Sequence, residues 1–280
     1  MRRIALRRRK IIIPAAVTMA AAAWVAWSNV SPEVTELTVE SEKLPESFSG
    51  FRIAQISGLH NAEFGPGNMK LVSLLEGAAP DIIVITGDMA DSRSTRIDIC
   101  LAFAEKCVQI APTFYVTGNH EARIDEYPEL AAGLEEAGVT VLDNSSAAVE
   151  RGGESISVIG VRDPAFTAGR ASSTVGSALA SLTGGDGYKI LLSHRPELFS
   201  TYVASGVDLV FAGHAHGGQV RLPVIGGLFA PGQGFFPEYD SGLYTSGTTR
   251  MIVSRGLGSS SFPVRINDRP EIIVAELISK

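Results

Sequence analysis

Residues 81–91 read DIIVITGDMAD, and the fold class turns on that run. Ile82, Ile83, Val84 and Ile85 are consecutive β-branched apolar residues, which suits a strand covered on both faces. The run ends at Thr86-Gly87, and the next residue is a carboxylate, Asp88. A buried strand that hands over to a loop with a reactive side chain is the arrangement of α/β sheets. Their ligands bind outside the carboxyl ends of the strands.

The pattern recurs on either side. TGNHE follows TFYV, giving Asn119, His120 and Glu121; SHRPE follows YKILL, giving His194; GHAHGGQ follows VDLVFA, giving His214 and His216. Upstream, FRIAQI runs into SGLHN and His60. Strands are expected over 51–57, 81–86, 113–117, 139–142, 155–161, 188–193, 207–212, 251–253 and 271–277, with a further one around Leu37 to Glu40. Helices are expected over 67–78, 96–110, 125–136, 174–183 and 196–203. LVSLLEGA and IDICLAFAEKCVQI carry apolar residues at three- and four-residue steps, as helices packed on a sheet do. Strand–helix alternation in the first half assigns the chain to the α/β class. No repeat divides it, so one catalytic domain over 45–280 follows a connector at 31–48 and an N-terminal segment at 1–30.

That N-terminal segment is unlike the rest. Six of the 24 basic residues (Arg2, Arg3, Arg7, Arg8, Arg9, Lys10) fall in the first ten positions, and no acidic residue precedes Glu33. Ile11 to Trp27 then form an uncharged apolar run. A basic flank before such a run and an acidic one after it predict an uncleaved single-pass membrane anchor. The catalytic domain would then lie on the extracytoplasmic side of the cell membrane. Arg8-Arg9-Lys10-Ile11-Ile12 also loosely fits a twin-arginine export signal. Beyond residue 30 the 18 remaining basic residues face 30 acidic ones. That balance argues against nucleic-acid binding through phosphate neutralisation. Cys100 and Cys107 lie about two helical turns apart, beyond the reach of a disulfide.

All five histidines of the chain fall in the strand-end loops, together with Asp88 and Asn119. Imidazoles, a carboxylate and an amide oxygen suit divalent Mn, Fe, Zn or Co. The cysteines offer no closed structural zinc site. No G-x-S-x-G elbow is present to support serine hydrolase chemistry. Two divalent ions clamping a phosphoryl group would account for this donor set.

ISGLH, TGDMAD, TGNHE, LLSHRPELF and FAGHAHGGQVRLP, in that order and spacing, resemble the calcineurin-like metallophosphoesterases. Within them, HNAEFG and SRGLGSSSFPVRINDRPEI are similar to the membrane-associated bacterial YkuE/YaeI-type group. The resemblance implies an α/β four-layer αββα sandwich, a metal-dependent phosphatase fold, following the N-terminal membrane helix. It also implies a binuclear centre hydrolysing a phosphomonoester, phosphodiester or pyrophosphate of a small molecule or lipid. By motif, His60, Asp88 and His216 would hold the first ion. Asp88 would bridge to a second ion held by Asn119, His194 and His214. His120 would protonate the leaving oxygen, a role its ordinary pKa suits.

Gly58 departs from the resemblance, which places Asp there. Its loss predicts a weaker first ion site than in an Asp-bearing relative. Either the enzyme works with that site weakened, or the chain is a catalytically degenerate, membrane-tethered protein that binds phosphorylated ligands. Glu63 and Glu121 are candidate replacement carboxylates. Asn61 and Asn68 are candidates for pocket lining or helix capping. Arg162 and Arg195 are candidate phosphate contacts. The aromatic loop from Leu228 to Tyr239 is either a core flap or a lipid-facing rim.

Overall fold

The computed structural model of the chain describes residues 2–260 and 262–280, with side chains from residue 16 onward. Two six-stranded sheets carry the domain. In the first the order is Glu33–Ser41, Glu271–Ser279, Phe51–Ile56, Ile82–Thr86, Thr113–Val116, Thr140–Val141. In the second it is Gly242–Ser246, Thr249–Val253, Leu209–Ala212, Lys189–Leu192, Glu154–Gly160, Ser145–Arg151. Pairing is parallel from Phe51–Ile56 through Thr140–Val141, and again from Glu154–Gly160 through Thr249–Val253. Antiparallel pairs occur at Phe51–Ile56 with Glu271–Ser279 and at both edges of the second sheet.

Alternation along the apolar strands builds three cores. Ile82 and Val84 point between the sheets, where Phe114, Val158, Ile190, Leu209, Phe211 and Ile273 meet them. Ile83 and Ile85 point outward, under the helices Met69–Ala78, Ile97–Ile110 and Tyr127–Glu136, through Leu71, Leu75, Phe103, Leu130 and Leu134. The helices Ala171–Leu182 and Phe199–Ala204 cover the other sheet through Val175, Leu179, Phe199 and Tyr202. The result is a mixed α/β sandwich of helices, sheet, sheet and helices. Continuous apolarity in 82–85 is thus explained, because each strand face meets a different core.

Two strands of the six-stranded sheets escape a reading for buried apolar runs, and a third is longer than expected. Ser145–Arg151 alternates half-buried and exposed residues, as an edge strand does. Gly242–Ser246 is a polar edge hairpin strand. The strand expected around Leu37 to Glu40 within the connector runs from Glu33 to Ser41 and forms the outer strand of the first sheet along its whole length.

The expected membrane anchor requires correction. Residues 2–29 form one helix, but among the described residues no helix is long and apolar enough to cross a membrane. The single-pass placement in the cell membrane, with an extracytoplasmic domain, is therefore withdrawn. At 1.5 Å per residue the uncharged run spans about 25 Å, short of a roughly 30 Å hydrocarbon core. Alanine also makes up much of it. The helix end docks on the domain instead. Asn29 Nδ2 donates to the Arg265 carbonyl at 2.8 Å and Asn29 Oδ1 accepts from Arg265 N at 2.8 Å. The Arg269 guanidinium lies 5.1 Å over the Trp27 ring. The basic cluster at 2–10 and the start of the apolar run lie outside the described side chains.

Candidate metal centre

Five parallel strands, three from one sheet and two from the other, end at the same edge of the sandwich. Hydrogen bonds hold them together there: Gln55 Nε2 donates across the sheets to the Ala212 carbonyl at 2.7 Å and, within its own sheet, to Thr86 Oγ1 at 2.9 Å. His194 Nδ1 lies 2.7 Å from the Thr86 carbonyl. The turns are packed so closely that a Cβ on Gly118 would come within 2.2 Å of Asp88 Oδ1. His60, Asp88, His214 and His216 all adopt positive φ, between 49° and 63°. Non-glycine residues carry that conformation at a cost, and such strain concentrates at functional sites.

The turns bring six of the seven predicted residues to one buried cluster, and the seventh, Asn119, is buried next to His120 in the chain. His194 Nε2 lies 3.1 Å from Asp88 Oδ2, and His214 Nδ1 lies 3.1 Å from His194 Nε2. On the other side, His60 Nε2 is 3.7 Å from Asp88 Oδ2 and 3.1 Å from His216 Nε2. Two groups have all their donor atoms within 4.8 Å of one another: Asp88, His194 and His214, and His60, Asp88 and His120. His216 belongs to neither group and joins through His60. Asn119 Oδ1 is buried without a hydrogen-bond partner among the described residues.

Burial sets the protonation of these rings. It pulls His60 down to about 4, against the opposing field of Asp88. It also holds His214 and His216 well below the usual histidine range, with Arg195 adding to the effect on the first and His60 and Arg265 on the second. His194 goes the other way. Burial alone would lower it, but the charge and hydrogen bond of Asp88 outweigh that and raise it to about 9. Burial opposes ionisation of Asp88, yet His194 prevails and keeps its carboxyl well below the usual range.

The donors fit a cation unequally. Ligands bonded at about 2.1 Å to one ion stand roughly 3.0–3.5 Å from each other, as His194 Nε2 does from both Asp88 Oδ2 and His214 Nδ1, and as the His60 and His216 Nε2 atoms do from one another. His194 also has the support a ligating imidazole needs, with its Nδ1–H on the Thr86 carbonyl and its Nε2 turned toward Asp88 Oδ2. The His60–His216 side has neither a carbonyl behind a ring nor a carboxylate as close, His60 Nε2 standing 3.7 Å from Asp88 Oδ2. Gly58 supplies no carboxylate, and a Cβ there would meet His216 Cε1 at 2.7 Å.

Neither candidate replacement carboxylate serves. Glu63 is exposed. Glu121 is fully buried but accepts from the backbone N–H groups of Asp88, Gly118 and Ala90, pinning two turns together. Asn68 precedes the helix Met69–Ala78 without capping it; its Oδ1 accepts from Phe64 N. Asn61 ties its loop to Ser94 and Asp91. Arg162 pairs with Asp143. Arg195 is gripped by Asp163 at 2.6 and 3.0 Å and points Nη1 at His214 Nε2, 2.8 Å away. In the aromatic loop Phe229, Phe235 and Phe236 are exposed on a hairpin.

Several partners escaped the sequence reading. His120 Nδ1 accepts from Ser92 N at 3.0 Å and lies 3.6 Å from Asp91 Oδ1. Asp91 stands three residues after Asp88 in the same turn, a spacing that could have flagged it. Asp163, Arg265 and Asp268 come from distant segments and carry no such local signal.

Comparison with known proteins agrees with the geometry. The sequence model of the calcineurin-like phosphoesterase family matches residues 51–218. The uncharacterized metallophosphoesterase YkuE of Bacillus subtilis is 30% identical over 88% of this chain and 86% of its own length. Phosphodiesterase YaeI of Escherichia coli is 30% identical over 81% of this chain and 82% of its own. The solved structure of TT1561 from Thermus thermophilus shares the fold, with a TM-score of 0.50 at 17% identity over 75% of this chain and 91% of that one. The chain belongs to the calcineurin-like phosphoesterase family and is a metal-dependent hydrolase of phosphoric esters.

Proposed function

We propose that the chain hydrolyses a phosphodiester at the Asp88–Asn119–His194–His214 position, with His120 as the proton donor. The mutually close, buried donors of Asp88, His194 and His214 carry this reading, with Asn119 Oδ1 left unpartnered in the turn that bears His120. The phosphodiesterase activity for which the YaeI relative is named favours a diester over a monoester or pyrophosphate. A divalent ion bound there supplies positive charge to a phosphoryl oxygen and acidifies a water. The chain's own residues do the rest. Asp88 is the carboxylate central to both groups, and its Oδ1 accepts the His120 backbone N–H at 2.8 Å, fixing that ring's approach. The Ser92 N–H on His120 Nδ1 places the ring's own proton on Nε2. From there it is available to the departing alkoxide, the step a general acid performs.

The substrate is a phosphorylated small molecule or a lipid. Exposed Phe229, Phe235 and Phe236 favour a substrate with an apolar part, because their hairpin hangs from the turn that carries His216. The absent carboxylate at Gly58 supports a second reading, a degenerate protein that binds phosphorylated ligands without turnover. Turnover of bis-p-nitrophenyl phosphate with added Mn2+ separates the two. The first reading expects activity that chelator abolishes and that His120→Ala lowers at least about 100-fold. Bound phosphate without turnover would establish the second.

A further inference from the structure

The two halves of the centre differ in what stands behind their imidazoles. Metal-bound histidine ordinarily donates its outer ring N–H to a carbonyl, carboxylate or water, which leaves the inner nitrogen's lone pair for the ion. His194 does so on the Thr86 carbonyl. His216 is placed the opposite way. Its outer nitrogen, Nδ1, faces Arg265 Nη2 at 3.2 Å, and a guanidinium can only donate. Nδ1 is therefore the acceptor, and the ring proton of neutral His216 sits on the inner Nε2. That proton points at His60 Nε2, 3.1 Å away, and occupies its lone pair. His60 Nδ1 then carries a proton with no acceptor among the described residues. Neither ring presents a free inner lone pair.

Arg265 is fixed in this role. Its side chain is 1% exposed, donates twice to the Gly258 carbonyl at 3.1 and 2.6 Å, and pairs with Asp268 at 2.9 Å. Arg195 stands behind His214 in a related way, but its side chain is 15% exposed and Glu197 Oε1 offers a second acceptor at 3.6 Å. That arginine can give way to a His214 N–H; Arg265 has nowhere to go.

Charge points in the same direction. Asp88 is the one carboxylate in the cluster paired with neither an arginine nor a full set of backbone donors: its Oδ1 accepts the His120 N–H and its Oδ2 faces His194 and His60. Asp91 is paired with Arg93, Asp163 with Arg195 and Asp268 with Arg265, while Glu121 is filled by backbone N–H groups. Two divalent ions against a single free carboxylate would bury three uncompensated positive charges, and a buried net charge is costly. One ion leaves one positive charge, which a phosphate ester neutralises. Gly58 is what removes the other carboxylate, and the His216 ring lies against the space it would need.

We propose that this centre works with one divalent ion, held by Asp88, Asn119, His194 and His214. His60 and His216, backed by Arg265, form a donor position for a phosphoryl oxygen where a second ion would otherwise stand. His216 Nε2–H turns from His60 to the incoming anion, and Arg265 keeps the proton on that nitrogen. The inference rests on the metal-dependent reading above and narrows it to one ion and an anionic oxygen.

The test is metal stoichiometry on the full chain after equilibration with excess Mn2+ and gel filtration, read by elemental analysis and electron paramagnetic resonance. One Mn2+ per chain with an isolated six-line spectrum is expected, with or without inorganic phosphate. Two ions with an exchange-coupled spectrum would overturn the inference and leave the hydrolase reading intact. No retained ion would overturn the metal-dependent reading itself. A second measurement uses His216→Ala. Retention of one Mn2+ is expected, with inorganic phosphate inhibiting at least tenfold more weakly. Loss of the ion, or unchanged phosphate inhibition, would count against the donor position.

Discussion

His194 and His216 each follow a strand at the same edge, yet one is braced as a ligand and the other as a donor. His194 has a carbonyl behind it and a carboxylate 3.1 Å in front. His216 has an arginine behind it, another imidazole in front and a glycine where the resemblance places a carboxylate. The same residue type at matched positions is turned to different chemistry by what it is hydrogen-bonded to.

The largest expected effect falls on the braced side. His194→Ala removes a ligand and should weaken Mn2+ affinity by more than the roughly 10–100-fold typical of changes behind a ligand. Calorimetric titration beside His216→Ala checks the contrast, and equal losses in the two variants would erase it. His120→Ala comes next. It should lower turnover by roughly 10²–10⁴-fold while leaving Mn2+ binding intact, since Ser92 orients the ring as an acid. A matching loss of bound metal would instead make His120 a ligand.

Stability effects are smaller. Glu121→Ala leaves three buried N–H groups of two turns unpaired, and at about 1–3 kcal/mol for each such loss the shared cost should reach several kcal/mol. Denaturant unfolding measures it, and a change near zero would mean that water fills the gap. Gly58→Ala should cost about 1–2 kcal/mol from its positive φ of 52°, plus displacement of the His216 ring. If Gly58→Asp alone recruited a second tightly held Mn2+, the missing carboxylate rather than Arg265 would be what separates the two halves.

Much of the frame was legible in the residues. The apolar strands that end in Asp88, His120, His194 and His214 announce themselves, because a strand buried on both faces must be apolar throughout and its polar residues collect at the ends. The edge strand Ser145–Arg151 did not, since one solvent face dilutes its pattern. The N-terminal run misled for a related reason. Hydropathy along 11–27 records composition, whereas the Asn29–Arg265 bonds join residues 236 positions apart.

By itself the sequence determined which atoms could meet at the centre, because donor type and hydrophobic period are properties of residues and their near neighbours. Only the tertiary structure decided which nitrogen of each ring faces inward and what holds the other. Proton placement on an imidazole follows from its hydrogen-bond partner, and Arg265, Thr86 and Arg195 reach their histidines from other strands and turns.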